Sequence, residues 1–171
     1  LFPYTTLFRS LDVVLEPLRG AGSALTRRGQ VSVHLGTAQL TARCTPLSRE
    51  GRLYARLSFP QEVSAWQGDR LLVRDPGSLR LAAAGSVVDP LPPERGAARP
   101  QRLAALALLA DQSAEQAFDT LLDHDSGMVN TEWFAKCFHL PQAERQRIEA
   151  GRALAAFPVR GERHVMRESA W

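Results

Sequence analysis

The stretch Gly68–Pro93, GDRLLVRDPGSLRLAAAGSVVDPLPP, decides how the first half of this chain folds. Two apolar runs, Leu71–Val73 and Ser86–Val88, flank an Arg-bearing segment of small residues, and prolines close the unit. Asp75-Pro76-Gly77 is turn chemistry: proline presets φ at the second turn position and glycine accepts a positive φ. The stretch therefore predicts a strand, a turn, an irregular small-residue strand and a further strand. Ala82-Ala83-Ala84-Gly85 has no bulk on either face, which suits the close approach of another backbone. A phosphate backbone and the neighbouring strand at a tight barrel corner both satisfy that condition.

Upstream, short apolar runs alternate with turn signals and no long helical period occurs. Leu11–Leu18 alternates loosely, Leu25-Thr26-Arg27-Arg28-Gly29 is a basic turn, and Val31–Leu35 reads Val, Ser, Val, His, Leu. Leu40–Leu47 and Leu53–Phe59 predict a hairpin across Ser48–Gly51, with Leu53, Ala55, Leu57 and Phe59 facing inward. Regularly spaced strands of this kind predict a closed or sandwiched antiparallel domain of about eighty residues, spanning 11–90. LPPERGAARP then reads as a stiff linker over 91–100, since its prolines stop any ladder from continuing.

Beyond the linker, over 101–171, the period becomes helical. Arg102–Ala110 is Ala/Leu-rich and suits packing against either neighbour. Ser113-Ala114-Glu115-Gln116 is a capping-box pattern that opens a helix to about His124, with Phe118, Leu121 and Leu122 on one face. Asn130 caps a second helix bearing Trp133, Phe134, Cys137 and Phe138. Pro141 suits the first position of a third helix, which Gly151 ends. Ala153–Val159 and His164–Ser169 predict two strands. Three helices followed by a hairpin is the order of an α+β winged-helix domain.

The residues of Gly68–Pro93 also carry a family resemblance. The segment resembles the end of the third domain of EF-Tu-type elongation factors, and more closely that of the selenocysteine-specific elongation factors, the SelB type. Asp69-Arg70, Arg74, Arg80, Gly85, Val87, Asp89-Pro90 and Pro92-Pro93 keep the SelB pattern. Ala83 and Ala84 stand where that family has glycines, Leu81 where it has threonine and Ser86 where it has arginine. The resemblance implies a six-stranded, EF-Tu domain III-like β-barrel followed by a first winged helix. It also implies a cytoplasmic protein that delivers selenocysteinyl-tRNA to the ribosome, using GTP and Mg in a GTPase domain outside this stretch. Binding of the selenocysteine-insertion mRNA hairpin would belong to later winged helices.

The first ten residues, LFPYTTLFRS, resemble the in-frame translation of a short-read sequencing adapter and are set outside the fold. The chain has no initiator Met and stops at Ser169-Ala170-Trp171, so it reads as a fragment of a longer frame. No apolar run approaches the roughly 20 residues needed to span a bilayer, which points to a soluble protein without a membrane partner. Cys44 and Cys137 lie far apart with no CxxC, and the four histidines form no metal constellation. No GxxxxGK(S/T) loop, Asn-Lys-x-Asp motif or GxSxG elbow is present, so neither a cofactor nor a catalytic residue is expected in this fragment. Asp119, Asp123 and Asp125 are spaced for solvation rather than for a metal.

What remains is phosphate recognition. From Leu11 to Pro93 arginine outnumbers acid ten to seven, and from Glu94 onward acids lead the basic residues eleven to ten. A single lysine, Lys136, and abundant Ala, Leu and Gly offer a GC-rich coding sequence as another source of that arginine. Duplex RNA is held chiefly through backbone and 2′-hydroxyl contacts, which suit arginines and exposed peptide N–H groups. The candidate contacts to a tRNA T-arm are His34, Arg74, Arg80, Gly85, Arg27 and Arg28. By resemblance, His34 stands where EF-Tu-type factors use an arginine on the T-stem. Two other readings fit: a winged-helix DNA-binding regulator with a barrel sensor domain, and an inert interaction scaffold. The acids Glu144 and Glu149 on the third helix weigh against the regulator.

Overall fold

The computed structural model describes residues 7–18, 25, 28–48, 51–78, 80–123 and 127–170. Residues up to Ala110 form one unit and those from Asp111 a second.

The first unit is a closed six-stranded antiparallel barrel. Its strands are β1 (Leu7–Pro17), β2 (Gly29–Leu35), β3 (Ala38–Pro46), β4 (Leu53–Ser64), β5 (Arg70–Arg74) and β6 (Leu81–Asp89). They close in the order β1-β4-β3-β2-β5-β6. Strict alternation sets which side chains enter the interior, because successive residues of a strand point to opposite faces. Leu11, Val13 and Leu15 of β1, Val31, Val33 and Leu35 of β2, and Leu71 and Val73 of β5 all join one interior cluster. Ala55, Leu57 and Phe59 of β4 join it too, as their spacing predicts. The hairpin expected across Ser48–Gly51 is present as the β3–β4 pair.

Two expectations meet a different arrangement. Leu7–Ser10 are not outside the barrel: β1 begins at Leu7, pairs Phe8 with Val63, and buries Phe8 to 4% exposure. The reason is local: the register shift between Phe8 and Ser10 breaks the alternation of Leu11–Leu15 and turns Phe8 into the interior cluster. The helix α1 (Pro100–Leu109) belongs to the barrel unit, whereas the sequence reading began a second domain at 101. It packs on β6 and buries Leu106 and Leu109, with Pro100 at its first turn.

The second unit contains α2 (Ala114–Asp123), β7 (Val129–Asn130), α3 (Thr131–Cys137), α4 (Gln142–Glu149), β8 (Leu154–Val159) and β9 (Glu162–Arg167). The three strands form a sheet in the order β7-β9-β8. The capping box is made: Gln116 N donates to Ser113 Oγ at 3.3 Å, and Ser113 N to Gln116 Oε1 at 3.1 Å. Asn130 Oδ1 accepts from the amides of Glu132 and Trp133, both at 3.0 Å. Phe118, Phe134 and Ile148, one from each helix, are buried, and Phe118 meets Phe134 edge-on at 5.1 Å. Among the described residues no helix is long and apolar enough to cross a membrane, and no group of three metal-ligating side chains converges.

Candidate nucleic-acid interface

Alternation on β2 turns Gln30, Ser32 and His34 outward while Val31, Val33 and Leu35 fill the barrel. Register then decides their neighbours. Gln30 stands opposite Arg43 of β3, which stands opposite Ser58 of β4. Ser32 stands between Thr41 of β3 and Arg74 of β5. His34 lies between Gln39 and Leu72. The outer wall of β3, β2 and β5 thus carries rows of hydrogen-bond donors. Strands β2, β3 and β5 contain no Asp or Glu.

At one end of this wall the sheet opens. Strand β3 pairs with β4 only from Arg43 to Pro46, and beyond Ser58 the β4 chain bulges before rejoining β1 at Val63. Pro60 sits in that bulge, where a missing amide costs no ladder bond. The result is an open groove of about 830 Å3, lined by Arg28, Gln30, Thr41, Arg43, Ser58 and Pro60 among others. Arg28 and Arg43 are exposed, and among the described residues no carboxylate lines the groove. Such a surface offers charge and fixed donors without a competing anion, which suits phosphate oxygens.

The six sequence candidates fall into different positions. Arg28 is on the groove. His34 and Arg74 share the outer face of β2 and β5, and the His34 Nε2 and Arg74 Nε atoms are buried with no hydrogen-bond partner. Arg80 is exposed at the far side of the turn, whose closing bond runs from Asp75 N to Arg80 O at 3.0 Å. That turn is well built: the Asp75 carboxylate accepts from Ser78 N at 2.7 Å, Ser78 Oγ at 3.0 Å and Gly77 N at 3.0 Å. Those bonds from Ser78, opposed by slight desolvation and helped by Gly77, hold the Asp75 carboxyl below its ordinary range. Arg27 lies outside the described residues.

Gly85 is placed differently from a bare peptide edge. Strand β6 is bonded to β5 on one side and β1 on the other, and Gly85 stands between Leu71 and Leu15. A Cβ there would lie 2.1 Å from the Val14 carbonyl oxygen. The close approach that its missing side chain permits is made by the neighbouring strand, so Gly85 is a barrel corner. Sequence reasoning passed over Gln30, Thr41, Arg43 and Ser58. Alternation marks Gln30 and Arg43 as outward, but the groove depends on where β4 leaves β3, and only Pro60 hints at that.

No curated protein sequence matches the chain significantly. Among solved structures, the chain is similar to a bacterial selenocysteine-specific elongation factor EF-Sec, with a TM-score of 0.56 at 14% identity, covering 94% of this chain and 24% of that one. It is also similar to the apo form of translation elongation factor SelB from Methanococcus maripaludis, with a TM-score of 0.43 at 17% identity, covering 51% of this chain and 24% of that one. The chain thus spans about a quarter of the length of either structure. The family model for the beta-barrel domain of the selenocysteine-specific elongation factor matches residues 13–94, the strands that build the closed barrel and its proline-rich exit. Residues 13–94 are therefore similar to the beta-barrel domain of the selenocysteine-specific elongation factor.

Proposed function

We propose that this chain serves a selenocysteine-specific translation elongation factor by gripping the arm of a transfer RNA along the outer wall of β2, β3 and β5. The single observation that supports this reading is a set of arginines without counter-ions. Arg28, Arg43, Arg70, Arg74 and Arg80 have no carboxylate partner among the described residues, and Arg28 and Arg43 flank an open groove of donors. Guanidinium groups left unpaired on a rigid sheet are preorganised for phosphates, because no internal ion pair must break first. Arg43, Gln30, Thr41 and Ser58 join the candidate contacts Arg28, His34, Arg74 and Arg80. Gly85 leaves that set and keeps a structural role.

On this reading the barrel binds and does not catalyse. The complete protein would deliver selenocysteinyl-tRNA to the ribosome, with GTP and Mg held in a separate domain. The second unit has the element order of a winged helix, three helices with a closing hairpin. We assign it the role of a spacer toward the end of the protein that meets the mRNA hairpin, because its arginines are largely engaged with its own carboxylates.

The test is binding of a tRNA, a DNA duplex of similar length and a neutral polymer to the full chain over a salt series. We expect tRNA to bind with the steepest salt dependence, and Arg28→Gln to shift log K uniformly while reducing the slope by about one. Preference for duplex DNA would favour the regulator reading, and no binding at low salt would favour the scaffold.

A further inference from the structure

The barrel holds an ionic cluster that the proposed RNA contacts do not use. Asp12 of β1 and Asp89 of β6 are cross-strand neighbours and are 0% and 1% exposed. Buried carboxylates are tolerated only when paired and hydrogen-bonded. Arg56 of β4 chelates Asp12, with Nε to Oδ1 at 2.7 Å and Nη2 to Oδ2 at 3.0 Å. The second guanidinium comes from outside the barrel. Arg102, in the first turn of α1, donates from Nη2 to Asp12 Oδ2 at 2.7 Å and to Asp89 Oδ2 at 2.6 Å. Two carboxylates thus meet two guanidinium groups, and Arg102 bridges both carboxylates. The segment leading to α1 is held as well: Arg56 Nη1 donates to the Pro93 carbonyl at 2.7 Å, and Asp89 Oδ1 accepts from Leu91 N at 2.8 Å. At the other end of the helix, Gln67 Nε2 donates to Leu109 O at 3.1 Å.

We propose that Arg102 is a pin that locks α1 onto the barrel as a rigid strut, so that the chain leaves the barrel from a fixed point at Ala110 instead of flexing in the proline-rich stretch. Arg102 is a positioning residue on this view, and residues 90–109 are an integral part of the barrel domain. Loss of the pin removes the guanidinium that bridges Asp12 and Asp89, and α1 loses the ion pairs that Arg102 makes with β1 and β6. The apolar contacts of Leu106 and Leu109 remain but must hold α1 without them.

Hydrogen exchange on the full chain reads this directly, because amide protection reports local opening. In the native protein the amides of Leu103–Leu109 are expected to exchange as slowly as those of β6. Arg102→Met should speed them on the order of a hundredfold while the amides of β2 and β3 stay slow. Asp89→Asn, which keeps the Arg102–Asp12 pair, should give a smaller acceleration confined to the same helix. The proposal is overturned if native α1 exchanges as fast as Glu94–Ala98, or if Arg102→Met leaves its protection unchanged. Should Arg102→Met fail to fold, Asp89→Asn decides by the same two outcomes.

Discussion

A methyl group added at Gly85 would meet the Val14 carbonyl oxygen at 2.1 Å and Leu15 Cδ2 at 2.9 Å. Neither partner has room to yield. Val14 belongs to β1, which β4 grips on its far side, and Leu15 is part of the packed interior. Overpacking a core typically costs about 1–3 kcal/mol, and a clash with backbone falls at the upper end or beyond. Gly85→Ala is therefore expected to lower barrel stability by about 3 kcal/mol in urea unfolding, with the salt slope of RNA binding unchanged in whatever protein stays folded. Unchanged stability with weakened RNA binding would return Gly85 to the nucleic-acid face. A thiol on β3 shows the tightness of the same interior: burial pushes Cys44, fully enclosed in the barrel, up to about 11.

At the scale of elements, β1 depends on residues that a reading of the sequence sets aside. Phe8 is buried in the interior cluster, paired with Val63 beyond the bulge that separates it from Ser10. Phe8→Ala removes a large buried side chain, and such truncations cost about 3–5 kcal/mol. We expect the lower end of that range, about 3 kcal/mol, because the bulge lets β1 collapse partway; a loss under half that in urea melts would mean Leu7–Ser10 contribute little. The strands of the barrel were legible in Val31–Leu35 and Leu53–Phe59, because one buried face imposes a period of two on the sequence. The caps at Ser113 and Asn130 were legible for a similar reason, since their partners lie within three residues. The anchoring of α1 was not: Arg102 and Asp12 are 90 positions apart, so no local pattern links them. Asp89-Pro90 stood out as part of a family pattern, yet its reason, a buried carboxylate facing Arg102, exists only in the folded barrel. The candidate site was half legible. Outward facing of His34 and Arg43 follows from alternation, whereas the groove between β3 and β4 follows from a bulge that no residue spacing encodes.

Across the whole molecule, the arginines divide by what they face more sharply than the counts of charge suggest. In the second unit Arg145 pairs with Glu132 at 2.9 Å, Arg147 with Glu144 at 2.9 Å and Arg152 with Asp119 at 2.6 Å. Arg163 pairs with Glu149 at 2.8 Å and Arg167 with Asp123 at 2.6 Å. Exposed pairs of this kind add little stability, about 0–1 kcal/mol each, but each cancels a charge that a phosphate would otherwise meet. The barrel wall has no such cancellation at Arg28, Arg43 or Arg74 among the described residues. Binding to a polyanion is governed by charges that displace counterions, so paired and unpaired arginines should respond differently to neutralisation. Arg43→Gln is expected to reduce the salt slope of tRNA binding by about one and to weaken all tRNAs alike. Arg145→Gln together with Arg147→Gln, which removes twice the charge, is expected to leave slope and affinity within error. Because both changes lower the net charge, a general field effect would move the double variant further than the single one. If titrations at several salt concentrations give that order, the barrel wall loses its claim as the RNA-binding surface.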